Sequence, residues 1–287
     1  MNGTAQAIDR LIRPTRRDFT RDYLSRGRPV ILEGVAQDWP ALSRWTPEYF
    51  RTRFGSRKVS IEIWADEAPG ASAESHFSHE VKQMPLAEYL DLIAANDTGK
   101  RYYLAQSAVT DVAPELLEDL RDLPYYPAWI RKLVQPVLMF FGPEGTVTPF
   151  HYDPTHNILV QVRGRKRVVM VSPDQSGLLY HPYKLREMER YNYSPVDPLA
   201  LDEARFPLYL KTRRLEFVLE EGEALFIPAG WWHHVVSLAP SVNVTFWWVT
   251  LPMLLGMAPR VWATSLTNAV RRLLGRPLQD PYASLLK

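Results

Sequence analysis

The chain has 287 residues, no cysteine, and 34 Lys+Arg against 32 Asp+Glu, a formal net charge of +2. Without cysteine there is no disulfide, thiolate metal site or thiol nucleophile, so any metal must be held by His, Asp or Glu. The near-neutral balance argues against a dedicated nucleic-acid binder, and a 46% hydrophobic, 23% charged composition suits a soluble globular protein.

The N-terminus lacks the apolar core of a signal peptide, so a soluble, reducing, cytoplasmic setting is expected. Residues 16–27 read as a helix with Phe19, Tyr23 and Leu24 on one face. Residues 29–35 form a short apolar strand pattern. Residues 46–55 carry helix punctuation: Thr46 as N-cap, Pro47 at the first helical position and Gly55 as the stop. Residues 58–64 alternate like a strand, 84–95 form an amphipathic helix through Leu86, Tyr89, Leu90 and Ile93, and 101–106 read as another strand.

From about residue 136 the texture turns to β. Strands are expected within 136–142, 156–162 and 167–173, the last two joined as a hairpin through the turn Arg163-Gly164-Arg165-Lys166. Residues 174–214 are polar, irregular and rich in Tyr and Pro; insertions of that length are often functional. Strands resume over 215–238, with turns at Gly222 and Ala229-Gly230, and once more over 241–249. Residues 235–259 carry no charge and are long enough to span a bilayer. Pro240, Asn243, Pro252 and Pro259 interrupt them, so they read as a buried strand and the start of a buried helix. The expectation is a single domain over 1–287, with an N-terminal region of helices and strands (1–135), a core (136–250) and a helical tail (251–287). The fold class is mainly β with flanking helices, a barrel or double-sheet jelly roll.

Three local features carry possible chemistry. In His151-Tyr152-Asp153, residues i and i+2 of a strand project from one face, so an imidazole and a carboxylate sit side by side. Such a pair is also a common surface hydrogen-bonded pair. In Trp231-Trp232-His233-His234, histidines follow a tight turn in an apolar strand pattern; they read either as hydrogen-bonded core residues or as a ligand that folding brings to Asp153. Two His and one carboxylate leave coordination positions open, which suits non-haem Fe(II). Lys166 reads either as a solvated turn lysine, like Arg163, Arg165 and Arg167, or as a cation inside a barrel mouth.

Taken in order, TPFHYDPTHNILVQVRGRKRVVMVSP and EEGEALFIPAGWWHHVVSL resemble the JmjC/cupin-like Fe(II)- and 2-oxoglutarate-dependent dioxygenases. The asparaginyl-hydroxylase branch typified by factor inhibiting hypoxia-inducible factor is the nearest likeness. It starts near RGRPVILEGVAQDWPA and is strongest from Val147 to Trp248. The resemblance implies a double-stranded β-helix core, with His151, Asp153 and His233, but not His234, as iron ligands and catalytic centre. It implies Lys166 gripping the distal carboxylate of 2-oxoglutarate, with Thr148 and Tyr103 assisting. It also implies Asn157 lining the co-substrate pocket and Trp247 packing beside the iron. Where that branch has asparagine on the last strand, this chain has Thr245, with Asn243 two residues earlier. The implied reaction consumes O2 and 2-oxoglutarate, releases succinate, and hydroxylates a peptide, protein or small molecule. The aromatics Trp231, Trp232, Phe246, Trp247 and Trp248 are expected to shield the metal. The Tyr-rich stretch 181–197 is the expected substrate rim, and 260–276 an expected homodimer interface. A cupin of other chemistry, isomerase-like, and a non-catalytic cupin binding module are the alternatives.

Overall fold

The computed structural model describes residues 5–65, 80–95, 100–126, 137–181 and 192–250. The tail at 251–287 and most of the expected rim, 182–191, lie outside them, as does the expected dimer interface.

Fourteen strands occur among these residues. They are β1 (Ala5–Gln6), β2 (Arg10–Ile12), β3 (Val30–Glu33), β4 (Lys58–Ala65), β5 (Glu80–Pro85), β6 (Lys100–Ala108), β7 (Leu138–Gly142), β8 (Val147–Tyr152), β9 (His156–Arg163), β10 (Lys166–Val171), β11 (Arg214–Leu219), β12 (Ala224–Ile227), β13 (Trp232–Ser237) and β14 (Ser241–Trp248). They form a five-stranded sheet, β1-β11-β10-β13-β8, and a nine-stranded sheet, β2-β3-β12-β9-β14-β7-β6-β4-β5. From β7 to β14 the chain passes back and forth between the sheets, so eight strands make two facing four-stranded layers. This is the jelly roll expected from the sequence.

One expectation changes. The turn at 163–166 does not close a hairpin: β9 pairs with β12 and β14, whereas β10 pairs with β11 and β13. The turn carries the chain across the fold from one sheet to the other. Its backbone passes so close to Pro240 that a Cβ on Gly164 would lie 2.4 Å from the Pro240 carbonyl oxygen. Strand β12 and strand β13, on either side of the Ala229-Gly230 turn, are likewise in different sheets.

Alternation along the strands builds three apolar layers. Val168, Met170, Leu225, Ile227 and Val235 meet between the sheets. The outer face of the large sheet, through Ile158, Val160, Phe226 and Val244, packs against Phe19, Trp45, Phe50 and Tyr89 from the N-terminal half. The outer face of the small sheet, through Phe150 and Trp232, is covered by Leu179, Val196, Phe206 and Tyr209 of the long insertion.

The helices follow their punctuation. Thr46 caps Pro47–Phe54 by accepting from the Tyr49 amide at 3.1 Å. The 16–27 helix is α-helical over Arg16–Phe19 and a π-helical turn over Thr20–Leu24. The second amphipathic helix starts at Leu86, because Met84 and Pro85 extend β5.

Candidate metal and co-substrate site

A cavity of about 340 Å3 opens between the sheets. Every residue expected to hold the metal or the co-substrate lines it: His151, Asp153, His233, Lys166, Thr148, Tyr103, Asn157 and Trp247, together with both Asn243 and Thr245.

At one end, β8 and β13 pair with His151 opposite His233. Their rings tilt together at 4.1 Å between centroids. His151 Nε2 lies 4.0 Å from one Asp153 carboxylate oxygen and His233 Nε2 lies 3.8 Å from the other. One donor atom from each residue falls within 4.8 Å of the others, which makes the three a possible metal-holding group. Asp153 sits just past β8, where its carbonyl accepts from the Gly230 amide at 2.8 Å. Gly230 adopts φ +80°, a conformation that favours glycine, and so ties the β12–β13 turn to the loop bearing Asp153.

The donor chemistry fits a cation. His151 Nδ1 is 2.9 Å from the Pro149 carbonyl and His233 Nδ1 is 3.0 Å from the Trp231 carbonyl. A carbonyl can only accept, so each Nδ1 donates, and in the neutral ring the Nε2 lone pair faces inward. Burial holds His233 neutral by pushing its pKa well down, and burial raises that of Asp153. Two lone pairs and a buried carboxylate thus converge, an arrangement that a divalent cation relieves.

The other end holds Lys166. It is 3% exposed, and burial lowers its pKa to about 7. Among the described residues no hydrogen bond or ion pair reaches its ammonium. Its neighbours on β10 point the other way, Arg167 to an ion pair with Glu216. Beside β10, Met170 is opposite His233 and Lys166 is opposite Ser237. Four residues of strand therefore separate the two ends, about 13 Å.

A β-bulge aims the wall between them. Three steps of β8, Thr148 to His151, run beside two steps of β13, Val235 to His233. Strict alternation would put Thr148 and His151 on opposite faces; the extra residue turns both into the cavity. Burial raises the pKa of the Tyr103 phenol, and the Thr148 hydroxyl lies near enough to oppose that rise. The Tyr103 ring occupies the space a side chain at Gly142 would need, 2.7 Å from an added Cβ.

The aromatic shield is smaller than expected. Trp247 lines the cavity, but Trp232 belongs to the outer layer of the small sheet, and Phe246 and Trp248 to that of the large one. Trp231 donates its indole N–H to the Gly27 carbonyl at 2.8 Å. His234 also faces outward, with Nε2 3.9 Å from Asp197.

Two polar lining residues, Glu62 and Gln106, were not marked by the sequence, and a third, Tyr193, comes from the stretch 181–197 expected as the substrate rim. Tyr193 stacks on His151 at 5.3 Å and 20°, and its neighbours Asn192 and Ser194 hydrogen-bond the edge of β8. Glu62 lies near enough to raise the pKa of both Tyr103 and Tyr193. Glu62 takes the polar side of the alternation in 58–64, beside Lys58 and Ser60, so nothing local marks it. Gln106 sits in a bulge of β6 with φ +47°, which no local pattern announces.

Residues 16–253 match the family described as Cupin-like domain. The chain is 35% identical to lysine-specific demethylase JMJ30 of Arabidopsis thaliana over 80% of its own length and 52% of that protein's. It is 32% identical to the bifunctional peptidase and (3S)-lysyl hydroxylase JMJD7 of Homo sapiens, over 82% of this chain and 81% of that one. The chain belongs to the JmjC group of cupin-like proteins. It is also similar to the human tRNA wybutosine-synthesizing protein 5, at 29% identity over 88% of this chain and 81% of that protein. For several JmjC relatives, JMJ30 included, it spans only a little over half their length. None of the JmjC relatives named here is an asparaginyl hydroxylase by name. Among the described residues no helix is long and apolar enough to cross a membrane.

Proposed function

We propose that this JmjC chain is an Fe(II)- and 2-oxoglutarate-dependent oxygenase that hydroxylates a side chain of a peptide or protein. The observation that carries the reading is one cavity with a cation-seeking His-Asp-His cluster at one end and an unpaired buried lysine at the other. That pairing suits a co-substrate with a metal-chelating keto acid and a distal carboxylate. A zinc- or manganese-dependent isomerase has no need of the lysine.

In this reading His151 and His233 hold iron through Nε2 and Asp153 through its carboxylate, each imidazole oriented by a backbone carbonyl. Lys166 offsets the distal carboxylate with a charge-assisted hydrogen bond, strengthened by burial. Thr148 and Tyr103 close the wall beside it. Asn157 and Trp247 flank the metal end. Iron supplies the oxygen chemistry that no side chain here possesses.

For the substrate, Glu62 and Tyr193 place an acidic, aromatic edge on the cavity, which complements a basic side chain. The lysine-directed names of several relatives agree with that. Peptide arrays differing at one residue, Lys, Arg or Asn, incubated with iron, 2-oxoglutarate and O2, test it by mass spectrometry. A gain of one oxygen on a basic residue, absent in Asp153→Ala, is the expected result. Modification of asparagine alone would return the substrate to the asparaginyl branch. A lost methyl group would make the enzyme a demethylase, and oxidation of small molecules alone would overturn the peptide reading.

A further inference from the structure

We infer that Asn243 is a second anchor for the distal carboxylate, acting beside Lys166, and that it sets the preference for a dicarboxylate co-substrate. This deepens the proposed function and rests on it. Asn243 lines the cavity, is 1% exposed, and its Oδ1 has no partner. Among the described residues no hydrogen bond reaches its amide nitrogen either. A buried amide whose oxygen has no partner is costly in a folded protein, so a ligand is the expected partner.

Strand register puts Asn243 at the depth of Lys166. On β14, Asn243 lies opposite Gln161 of β9, whereas Trp247 lies opposite Asn157 at the metal end. Gln161 stands two residues before the end of β9, and Lys166 begins β10 just after the crossover turn. Gln161 donates through Nε2 to the Arg163 carbonyl at 2.7 Å, and no hydrogen bond joins its Oε1 to Asn243. The amide N–H of Asn243 can then serve one carboxylate oxygen while the Lys166 ammonium takes the other. Thr245 sits one pleat nearer the metal, with its hydroxyl also unpartnered. It faces the middle of the co-substrate rather than its end.

The test is calorimetric binding to the full chain loaded with Zn(II), which requires no turnover. The probes are 2-oxoglutarate and 2-oxopentanoate, which has the same carbon chain without the distal carboxylate. Wild type should bind 2-oxoglutarate the more tightly. Asn243→Ala should weaken 2-oxoglutarate by about tenfold or more, the scale of a hydrogen bond to a charged group, and leave 2-oxopentanoate unchanged. Asn243→Asp, nearly isosteric, should weaken 2-oxoglutarate further by adding like charge; 2-oxopentanoate binding reports whether each variant is folded. The inference is overturned if both variants bind 2-oxoglutarate as wild type does, or if both acids weaken together. Failure of wild type to bind 2-oxoglutarate would instead overturn the functional reading, and the inference with it.

Discussion

At the scale of single residues, the site is held in electrostatic conflict. Asp153 is buried, its pKa is raised, and two imidazole lone pairs face it. A carboxylate that burial disfavours destabilises the fold when ionised and gives that cost back when a cation arrives. Asp153→Asn should therefore leave the metal-free melting temperature equal to or above wild type, while abolishing the rise produced by divalent metal. A variant that melts several degrees lower and still responds to metal would contradict this. Lys166 carries the complementary strain. Its folded pKa, about 7 against 10.5 unperturbed, means that its cost to stability is complete below about pH 7. That cost is relieved as pH rises toward 10.5. Binding a distal carboxylate requires the ammonium, so above pH 7 binding takes up a proton. The affinity of the metal-loaded protein for 2-oxoglutarate should fall from pH 7 to 9 by up to about tenfold per unit. For 2-oxopentanoate this fall should be missing. Titrations in buffers of different ionisation enthalpy measure the proton directly, and an absence of uptake at pH 8 would exclude a neutral free Lys166.

At the scale of elements, close approach between strands sets the wall of the cavity. Gly142 ends β7 where the Tyr103 ring of β6 presses against it. Gly142→Ala should displace Tyr103 from its place beside Thr148, weakening 2-oxoglutarate binding several-fold while metal affinity stays constant. Equal binding by the variant would show that Tyr103 plays no part in the wall. Element identity was largely legible in the sequence, because helix caps such as Thr46 and strand alternation are local signals. Partnership between elements was not. The turn at 163–166 looks like a hairpin because two apolar strands flank a glycine. Its strands part because each buries one face in a different outer layer, a demand set by residues far along the chain. The same non-locality hid the direction of the aromatics: Trp231 and Trp232 adjoin His233, yet alternation and the 228–231 turn send both away from it.

For the whole molecule, the jelly roll works as a scaffold that brings three distant stretches to one cavity. β8 supplies His151 and the loop beyond it Asp153, β10 supplies Lys166, and β13 supplies His233. The triad was legible because each part lies in a compact motif whose order is distinctive. Glu62 and Gln106 were not, since each reaches the cavity only through tertiary structure, from the N-terminal half added to the large sheet; Tyr193 belongs to the insertion, which the sequence marked as a rim without singling out the residue. The proposed function requires one cavity to bind iron and 2-oxoglutarate together. Anaerobic titration of the protein with Fe(II) and 2-oxoglutarate, followed by visible absorption, measures this directly. A weak charge-transfer band that needs both components and is absent from Asp153→Ala is the expected result. No band in wild type, or an undiminished band in that variant, would contradict it.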